Sequence, residues 1–511
     1  MALNTADIRQ WIAAAAPGGR LVSDSRRAGK GDVFFAWPGE AGDGRKFIGA
    51  AVANGVAAVV YDARDFAWDE ALDVPHLAVA DLKRNAGAIA HACLDMPDAA
   101  MFTVGVTGTN GKTSCAVWIG QAFARIGEPT AVIGTLGVGL FKGRGEPAFD
   151  ATGYTTPDAV LLADRLAAMR DAGARALAIE VSSIGLEQQR TGGMHFDVAI
   201  FTNLTRDHLD YHGDMASYEA AKVKLFEWPG LTTAVINLDD PAGLRLVAHL
   251  RANFPALALT GYTLRAEAAQ PAIDGVAILR ATNVRSRHAG TEFHLDSPVG
   301  GANVKTRLVG HFNISNALAV LGALLAKGVA LRAAVDAIEA LAPAPGRMQQ
   351  VGGQDAPMVV VDYAHTPDAL EKTLEALRQV ALERGGQLWC VFGCGGDRDP
   401  GKRPQMGAIA QAADHVLVTS DNPRSEEPGA IIAQIVAGMD AAHPSSRFQA
   451  IEDRAAAILS AVKHAAKQDV ILVAGKGHEP YQEIKGRKMP FSDAEHAALA
   501  FAARVTMMRT N

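Results

Sequence analysis

The chain has 511 residues, of which 49% are hydrophobic and 20% are charged, and its formal net charge is −6. This length predicts about three domains rather than one core, and the negative charge argues against general nucleic-acid binding, which favours a basic surface. Four cysteines in so long a chain predict a reducing compartment and no disulfide framework.

No segment predicts export or membrane insertion. Asp7 and Arg9 interrupt the start of the chain, so a secretory pattern is not expected there. The most apolar stretch, residues 317–331, contains Lys327 and is shorter than a membrane span. We therefore expect a cytoplasmic protein.

The first 97 residues predict a small α/β domain. Strand-like runs occur at residues 32–37, 57–61 and 76–79. A helix pattern covers residues 81–95, and Pro97 follows it as a stop signal.

Residues 98–341 open with the most informative segment, Val-Gly-Val-Thr-Gly-Thr-Asn-Gly-Lys-Thr-Ser at positions 104–114. A glycine-rich turn between a strand and a helix points backbone N–H groups at an anion. Lys112 adds a positive charge and Thr113 a hydroxyl for Mg²⁺, so the segment predicts nucleotide triphosphate binding. Val106 stands where the usual phosphate-loop pattern has glycine, and the alternative is an ordinary turn with an exposed lysine.

Other features of this block indicate further catalytic groups. Glu180 ends the apolar run 176–180 and is well placed for Mg²⁺, unless it is an exposed strand-end carboxylate. Residues 202–213, Thr-Asn-Leu-Thr-Arg-Asp-His-Leu-Asp-Tyr-His-Gly, follow another apolar run and concentrate potential metal or phosphate ligands, His208 among them. The helical pattern around Lys222, taken alone, predicts a surface lysine.

The hydrophobic periodicity changes near the end of this block. Residues 271–308 show period-two alternation and predict an antiparallel β insertion, whereas residues 313–327 predict a helix.

Residues 342–511 alternate strand and helix patterns and predict a second nucleotide-fold-like domain. The predicted strands are residues 358–361, 388–392, 415–418 and 470–473. A polar turn follows each of them: Asp362 to Asp368, Gly393 to Pro404, Asp421 to Arg424 and Gly475 to Glu479. Asp362 suits a ribose hydroxyl, and arginines such as Arg398 suit carboxylates or phosphates. Turns at neighbouring strand ends should converge on one crevice.

These motifs, in this order, resemble those of the Mur ligases, the ATP-dependent peptide synthetases of bacterial cell-wall precursor assembly. The similarity runs nearly end to end, over Ser23–Arg26, Gly108–Ser114, Glu180–Ser183, Thr202–Gly213, Glu219–Lys222, Asn313 with Asn316, Asp362–Pro367, Gly393–Pro404, Asp421–Arg424 and Gly475–Glu479. The resemblance implies an α/β protein with a small UDP-binding domain (1–97), a central P-loop ATPase-type domain with a mostly parallel sheet (98–341), and a Rossmann-like amino-acid-binding domain (342–511).

The resemblance also implies roles for individual residues. ATP would be held by Gly108, Thr109, Asn110, Gly111, Lys112, Thr113, Ser114, Asn313 and Asp362. The UDP-muramoyl-peptide would be held by Ser25, Glu40, Ala41, Gly42, Thr155, Thr156, Ser182, Gln188 and Arg190, with Tyr154 where relatives often have asparagine. Catalysis would use Lys112, Glu180, His208 and Lys222, and Mg²⁺ would be held by Thr113, Glu180, His208 and Lys222. The resemblance reverses the surface assignment of Lys222, because the family carries a CO₂-derived carbamate on the equivalent lysine.

The implied reaction adds a third residue to UDP-N-acetylmuramoyl-L-alanyl-D-glutamate through an acyl phosphate. Asp421–Arg424 resembles the motif of members that add meso-2,6-diaminopimelate, whose distal carboxylate suits an arginine fork. The implied diaminopimelate ligands are Arg398, Asp421, Asn422, Pro423, Arg424, Gly475 and Glu479.

Three other functions stay open on the sequence: the same ligase chemistry with L-lysine, a folylpolyglutamate-synthetase-like ligase, and a P-loop switch or motor. We expect the partners to be these small molecules, ATP and Mg²⁺. We expect no nucleic acid, no membrane insertion, and a monomer.

Overall fold

Three main sheets organise the chain in the computed structural model, which describes residues 4–39, 42–145, 147–268, 272–287, 290–352, 356–440 and 447–510. Apart from these sheets, one two-stranded hairpin occurs within the described residues. In the same part of the chain, no helix combines the length and the apolar character that crossing a membrane requires.

The N-terminal sheet is small and parallel. Its region contains α1 (Thr5–Ala15), β1 (Leu21–Val22), β2 (Val33–Ala36), a short 3₁₀ helix (Gly44–Phe47), α2 (Ile48–Ala53), β3 (Ala58–Asp62), β4 (His76–Val79) and α3 (Leu82–Cys93). The strands lie in the order β1-β2-β3-β4, and every neighbouring pair is parallel. β2 and β3 are buried along their whole length, which explains their continuous apolar runs. The strands and the helix predicted for this region are confirmed.

The central sheet has ten strands and carries the glycine-rich loop. Its strands are β5 (Phe102–Thr107), β6 (Thr130–Gly134), β7 (Gly137–Phe141), β8 (Ala176–Glu180), β9 (Val198–Phe201), β10 (Thr233–Asn237), β11 (Ala258–Thr263), β12 (Val276–Arg287), β13 (Gly290–Ser297) and β14 (Gly300–Thr306). Its helices are α4 (Lys112–Arg125), α5 (Ala159–Asp171), α6 (Ser183–Glu187), α7 (Leu209–His212), α8 (Met215–Val223), α9 (Pro241–Asn253), α10 (His311–Ala326) and α11 (Leu331–Glu339).

Strand order places the predicted catalytic segments side by side. The order is β14-β13-β12-β11-β10-β9-β5-β8-β6-β7, so β5 lies between β9 and β8 and runs parallel to both. Val106 pairs with Glu180, and Thr107 pairs with Phe201. The glycine-rich loop, Glu180 and the segment after Phe201 therefore meet at the carboxyl edge of the sheet, where ligands of parallel sheets bind.

The antiparallel strands predicted near residues 271–308 are confirmed, and they extend the central sheet. β12 pairs in parallel with β11 and antiparallel with β13, and β13 pairs antiparallel with β14. Apolar side chains cover both faces of the central sheet, with Trp118 and Phe123 of α4 on one face and Phe226 on the other.

The C-terminal sheet has six strands. This region contains β15 (Gln349–Val351), β16 (Met358–Asp362), α12 (Pro367–Arg384), β17 (Leu388–Phe392), α13 (Lys402–Ala410), β18 (His415–Val418), α14 (Pro428–Val436), β19 (Arg447–Ala450), α15 (Arg454–His464), β20 (Val470–Ala474), β21 (Tyr481–Ile484), β22 (Arg487–Pro490) and α16 (Asp493–Thr510). The order is β15-β16-β20-β17-β18-β19, and only the β15–β16 pair of this sheet is antiparallel among the described residues. The strands predicted here are confirmed. The domain boundaries at residues 97 and 341 remain predictions.

Candidate active site

The glycine-rich loop has the geometry of an anion cradle. Gly108 and Gly111 adopt positive φ values of 145° and 86°, which side-chain-bearing residues rarely adopt. A Cβ on Gly108 would lie 1.9 Å from Thr202 Oγ1, so the two segments approach too closely for any side chain. Helix α4 starts at Lys112, and no side chain caps it. Its first N–H groups and the positive end of its dipole are therefore available to a phosphate.

Lys112 is folded over this loop. Its Nζ donates to the carbonyl oxygens of Gly108 and Thr109, both at 2.8 Å. Burial lowers the pKa of Lys112, while the nearby carboxylates of Glu180 and Asp207 act in the opposite direction. A phosphate oxygen in this place would compensate the buried ammonium more fully than two neutral carbonyls do.

The segment after β9 holds the loop in shape. Asn203 Oδ1 accepts from the Asn110 N–H at 2.9 Å, and the Asn203 amide donates to the Asn110 carbonyl at 3.1 Å. Thr202 Oγ1 donates to the same carbonyl at 2.6 Å. Much of the polar character predicted for residues 202–213 therefore supports the loop rather than a ligand.

Glu180 lies at the tip of β8 and is only 2% exposed, which excludes the alternative of an exposed strand-end carboxylate. The Thr135 N–H donates to its Oε1 at 2.8 Å, and Thr135 Oγ1 donates to its Oε2 at 3.1 Å. Each carboxylate oxygen keeps lone pairs for a further ligand.

Lys222 is not a surface residue, so the prediction from its helical pattern alone is wrong. It is 2% exposed, its Nζ donates to the Gly108 carbonyl at 2.9 Å, and it lies 4.3 Å from the Tyr218 ring centre. Burial, followed by the charge of Lys112, lowers its pKa well below the usual value. An amine in this environment is neutral far more readily than an exposed lysine.

His208 lines a cavity together with Glu180 and Lys222, and its backbone is in the left-handed conformation with φ of 53°. Burial lowers its pKa, and the Asp207 carboxylate, 3.4 Å from its Nε2, partly offsets this effect. Burial acts to raise the pKa of the Asp207 carboxyl. The positive groups around it, of which His208 has the largest effect, outweigh burial and lower this pKa below its usual value. His212 is directed elsewhere, with its Nε2 2.9 Å from Ser183 Oγ.

These groups line one cavity of about 1080 Å³ between the central and C-terminal sheets. Its lining includes all the predicted ATP ligands of the loop from Thr109 to Ser114, and also Asn313 and Asp362. Asp362 is held by the Met348 N–H at 2.7 Å, and burial raises the pKa of its carboxyl. Gly108 lies beneath the lining, in contact with both lysines.

The predicted muramoyl-peptide ligands form one group at the cavity, with Thr155, Thr156 and Ser182, and a second group around Arg190. Thr155 and Ser182 line the cavity, and Thr156 lies beneath them, 3.0 Å from Ser182 Oγ. Arg190 donates to the Thr156 carbonyl at 2.8 Å and to Gln188 Oε1, and its guanidinium lies 5.2 Å from the ring centre of Tyr154.

The predicted uridine ligands lie away from this cavity. Ser25 and Gly42 do not line it, and the Ser25 carbonyl accepts from Asn54 at 3.1 Å. Glu40 and Ala41 lie outside the described residues.

The predicted diaminopimelate ligands lie close together, as the strand order predicts. They are not part of the cavity lining. Asn422 donates to Glu479 Oε2 at 2.8 Å, and the buried Lys476 ammonium donates to both of them at 3.0 Å. Arg424 Nη1 donates to the Gly396 carbonyl at 2.6 Å, and its Nε lies 3.8 Å from Glu483.

The remaining members of this set lie close by. A Cβ on Gly475 would lie 2.5 Å from Asp421 Oδ2, and the Pro423 carbonyl packs against Gly396. Arg398 is exposed on the turn after β17. Arg403 of the same turn is committed to Glu426 through two bonds of 2.8 Å, so it is not available for a substrate carboxylate.

The sequence reasoning missed Arg347. Its Nη2 donates to the Thr113 hydroxyl at 3.2 Å, and its guanidinium lies 4.4 Å from the ring centre of Tyr363. It lies on the segment between α11 and β15, so it brings a positive charge to the phosphate cradle from the C-terminal side. The Pro-Gly-Arg turn at residues 345–347 was a signal, but it is a common one.

Mg²⁺ fits the residues present. This ion prefers one or two carboxylates together with phosphate oxygens and water. Glu180 keeps free lone pairs, and the Thr113 hydroxyl and His208 face the same cavity. As an ammonium Lys222 can only donate hydrogen bonds, whereas as a carbamate it would present the oxygen ligands that Mg²⁺ prefers. Over the part of the chain that is described, no group of three or more His, Cys, Asp or Glu side chains forms a metal site by itself.

Comparison with known proteins agrees with this geometry over nearly the whole chain. Family models match residues 20–92 (Mur ligase family, catalytic domain), 106–324 (Mur ligase middle domain) and 346–477 (Mur ligase, glutamate ligase domain). The chain is 62% identical to a UDP-N-acetylmuramoyl-L-alanyl-D-glutamate--2,6-diaminopimelate ligase of Janthinobacterium sp. (strain Marseille), covering 98% of this chain and 97% of that protein. It is 53% identical to the protein of the same name from Ralstonia nicotianae, covering 99% and 97%. A solved structure with that name is 36% identical, with a TM-score of 0.65 and 95% coverage of both chains.

Proposed function

This chain belongs to the Mur ligase family, and from that premise we propose that it adds meso-2,6-diaminopimelate to the D-glutamate of UDP-N-acetylmuramoyl-L-alanyl-D-glutamate with consumption of ATP. The observation that carries the proposal is the sharing of the Gly108 carbonyl by the half-buried Lys112 and the buried Lys222, beside the buried Glu180. This is a site built to gather phosphate and carboxylate charge.

In the first step, the D-glutamyl γ-carboxylate attacks the γ-phosphorus of ATP, ADP leaves, and an acyl phosphate forms. Two anions must approach each other, so positive charge has to be concentrated in advance. Lys112, the N–H groups that begin α4, and Arg347 supply it from three directions.

Thr113, Glu180, His208 and a modified Lys222 would hold Mg²⁺, which supplies further neutralisation of the phosphate oxygens. Glu180 is kept in place by Thr135, so its oxygens are oriented before any ligand arrives.

We propose that Lys222 carries a carbamate. Its neutral amine nitrogen would attack CO₂ and release one proton to solvent. The lowered pKa supports this step because only the unprotonated amine is a nucleophile. The product would be an anion beside Lys112, so a neutral amine would be replaced by a charge that attracts the Lys112 ammonium.

In the second step, the diaminopimelate amine attacks the acyl carbon and inorganic phosphate leaves. Arg424 and Arg398 would bind the distal carboxylate, while Asn422 and Glu479 would orient the distal ammonium group. L-Lysine has no carboxylate at that end, so an arginine there favours diaminopimelate.

The amino acid test is direct. We expect product formation with ATP, Mg²⁺, the UDP-muramoyl-dipeptide and meso-diaminopimelate, identified by its mass, and at least about 100-fold lower kcat/KM with L-lysine. Equal use of L-lysine would overturn the specificity, and phosphate release without any amino acid would favour a switch or motor.

We also propose that the active unit is a monomer. A cytoplasmic location also belongs to this proposal, because the enzyme would draw on cytoplasmic ATP.

A further inference from the structure

His478 occupies the boundary between the proposed amino-acid site and the ATP cavity. It lies in the turn at residues 475–479 that follows β20, which we call the amino-acid loop, and it is next to Glu479. Its Nδ1 is 3.5 Å from Arg347 Nη1, and its ring centre is 5.4 Å from that of Tyr363. The reaction steps described above assign it no role.

The contact with Arg347 defines the form of the imidazole. A guanidinium can only donate, so Nδ1 accepts from Arg347 and the ring proton is on Nε2. Burial lowers the pKa of His478 to about 3, so the ring is neutral at physiological pH.

Arg347, the partner of His478, holds a residue of the proposed phosphoryl-transfer site. It donates to Thr113 Oγ1 at 3.2 Å, and its guanidinium lies 4.4 Å from the ring centre of Tyr363, the same ring that His478 contacts. One side chain of the amino-acid loop is thus two hydrogen bonds away from a proposed metal ligand.

The backbone of the amino-acid loop packs closely against the segment that carries Arg347. A Cβ on Gly346 would lie 2.1 Å from the His478 nitrogen, and a Cβ on Gly477 would lie 2.7 Å from the Gly346 oxygen. The segment carrying Arg347 and the amino-acid loop therefore pack as one unit. At its other end the loop is fixed by the bonds of Lys476 and Glu479 to Asn422.

We infer that His478 is a positioning residue that couples the amino-acid loop to Thr113 through Arg347, so that ATP is used efficiently only when this loop is seated. The inference rests on the proposed function, because it assigns the loop to amino-acid binding and the cavity to phosphoryl transfer.

The test measures the first step alone. Acyl-phosphate formation is followed as ADP in a single turnover with saturating UDP-muramoyl-dipeptide, ATP and Mg²⁺, without amino acid. We expect His478→Ala and His478→Phe to slow this step at least about 10-fold, because neither side chain can accept a hydrogen bond from Arg347. His478→Gln offers one acceptor and one donor, and we expect it to stay within about 3-fold of the unmodified protein.

His464→Ala is the matched control, because His464 is an exposed histidine at the end of α15 and does not line the cavity. We expect it to leave both the single-turnover rate and the KM for diaminopimelate within about 2-fold. Normal single-turnover rates in both His478→Ala and His478→Phe, with only the amino-acid KM raised, would overturn the inference. If His478→Ala does not fold, His478→Phe and His478→Gln still decide between the two results.

Failure of the proposed function gives a different result. In that case the unmodified protein itself would form no ADP with the dipeptide substrate. A working unmodified protein with insensitive His478 variants would refute only the coupling.

Discussion

Replacing Lys222 by methionine tests the electrostatic design of the site. Lys112 and Lys222 donate to the same carbonyl oxygen at 2.8 and 2.9 Å. Their nitrogens therefore lie within about 6 Å of each other, where two unit charges interact by about 3 kcal/mol at an effective dielectric constant of about 20. Methionine fills a similar volume and removes the carbamate charge, so about 3 kcal/mol of attraction would be lost.

A loss of that size in the transition state corresponds to roughly a 100-fold fall in kcat. We expect this fall for Lys222→Met in a phosphate-release assay at saturating substrates, with a cooperative thermal unfolding transition as the control for folding. Removal of CO₂ and bicarbonate should slow the unmodified protein and leave Lys222→Met unaffected. Because only the neutral amine reacts, carbamate formation should be lost as the pH falls through the lowered pKa of Lys222.

Two results would refute this reasoning. The first is a Lys222→Met protein with kcat within about 3-fold of the unmodified protein. The second is the absence of a carbamate signal in a ¹³C spectrum recorded with labelled bicarbonate, when Lys222→Met serves as the blank.

Three further substitutions test other parts of the site and fold. Arg347→Lys keeps the charge and loses the planar fork that reaches Thr113, so kcat should fall about 10-fold without loss of folding, as steady-state kinetics would show. Arg424→Leu should raise the KM for diaminopimelate at least about 10-fold and leave the KM for ATP unchanged, and equal effects on both would contradict its assignment. Arg454→Met leaves the fully buried Asp493 without its partner and should cost about 3–5 kcal/mol in urea unfolding, whereas Arg454→Met combined with Asp493→Leu should recover most of that loss.

The sequence was sufficient where local pattern and function coincide. The strand at Ala176–Glu180 and the loop from Gly108 to Ser114 could be predicted because apolar runs, glycines and a helix start occur in a fixed order. The convergence of Asn422 and Glu479 could be predicted because parallel neighbouring strands end at the same edge.

The residues that were misjudged depend on distant contacts. Lys222 lies on a helix whose pattern fits an exposed lysine, and only its bond to Gly108, 114 positions away, explains its burial. Arg347 is separated by 234 positions from Thr113 and by 131 from His478. No local pattern carries such information, because these contacts exist only after distant parts of the chain have packed together.

The most direct measurement of the central claim follows one oxygen atom. The D-glutamyl γ-carboxylate of the UDP-muramoyl-dipeptide is labelled with ¹⁸O, and the phosphate released during diaminopimelate addition is analysed by mass spectrometry. An acyl phosphate transfers one labelled oxygen to each inorganic phosphate, and this is the result we predict. Phosphate free of the label would contradict the account, because the γ-phosphate would then have been taken by water instead of the substrate carboxylate.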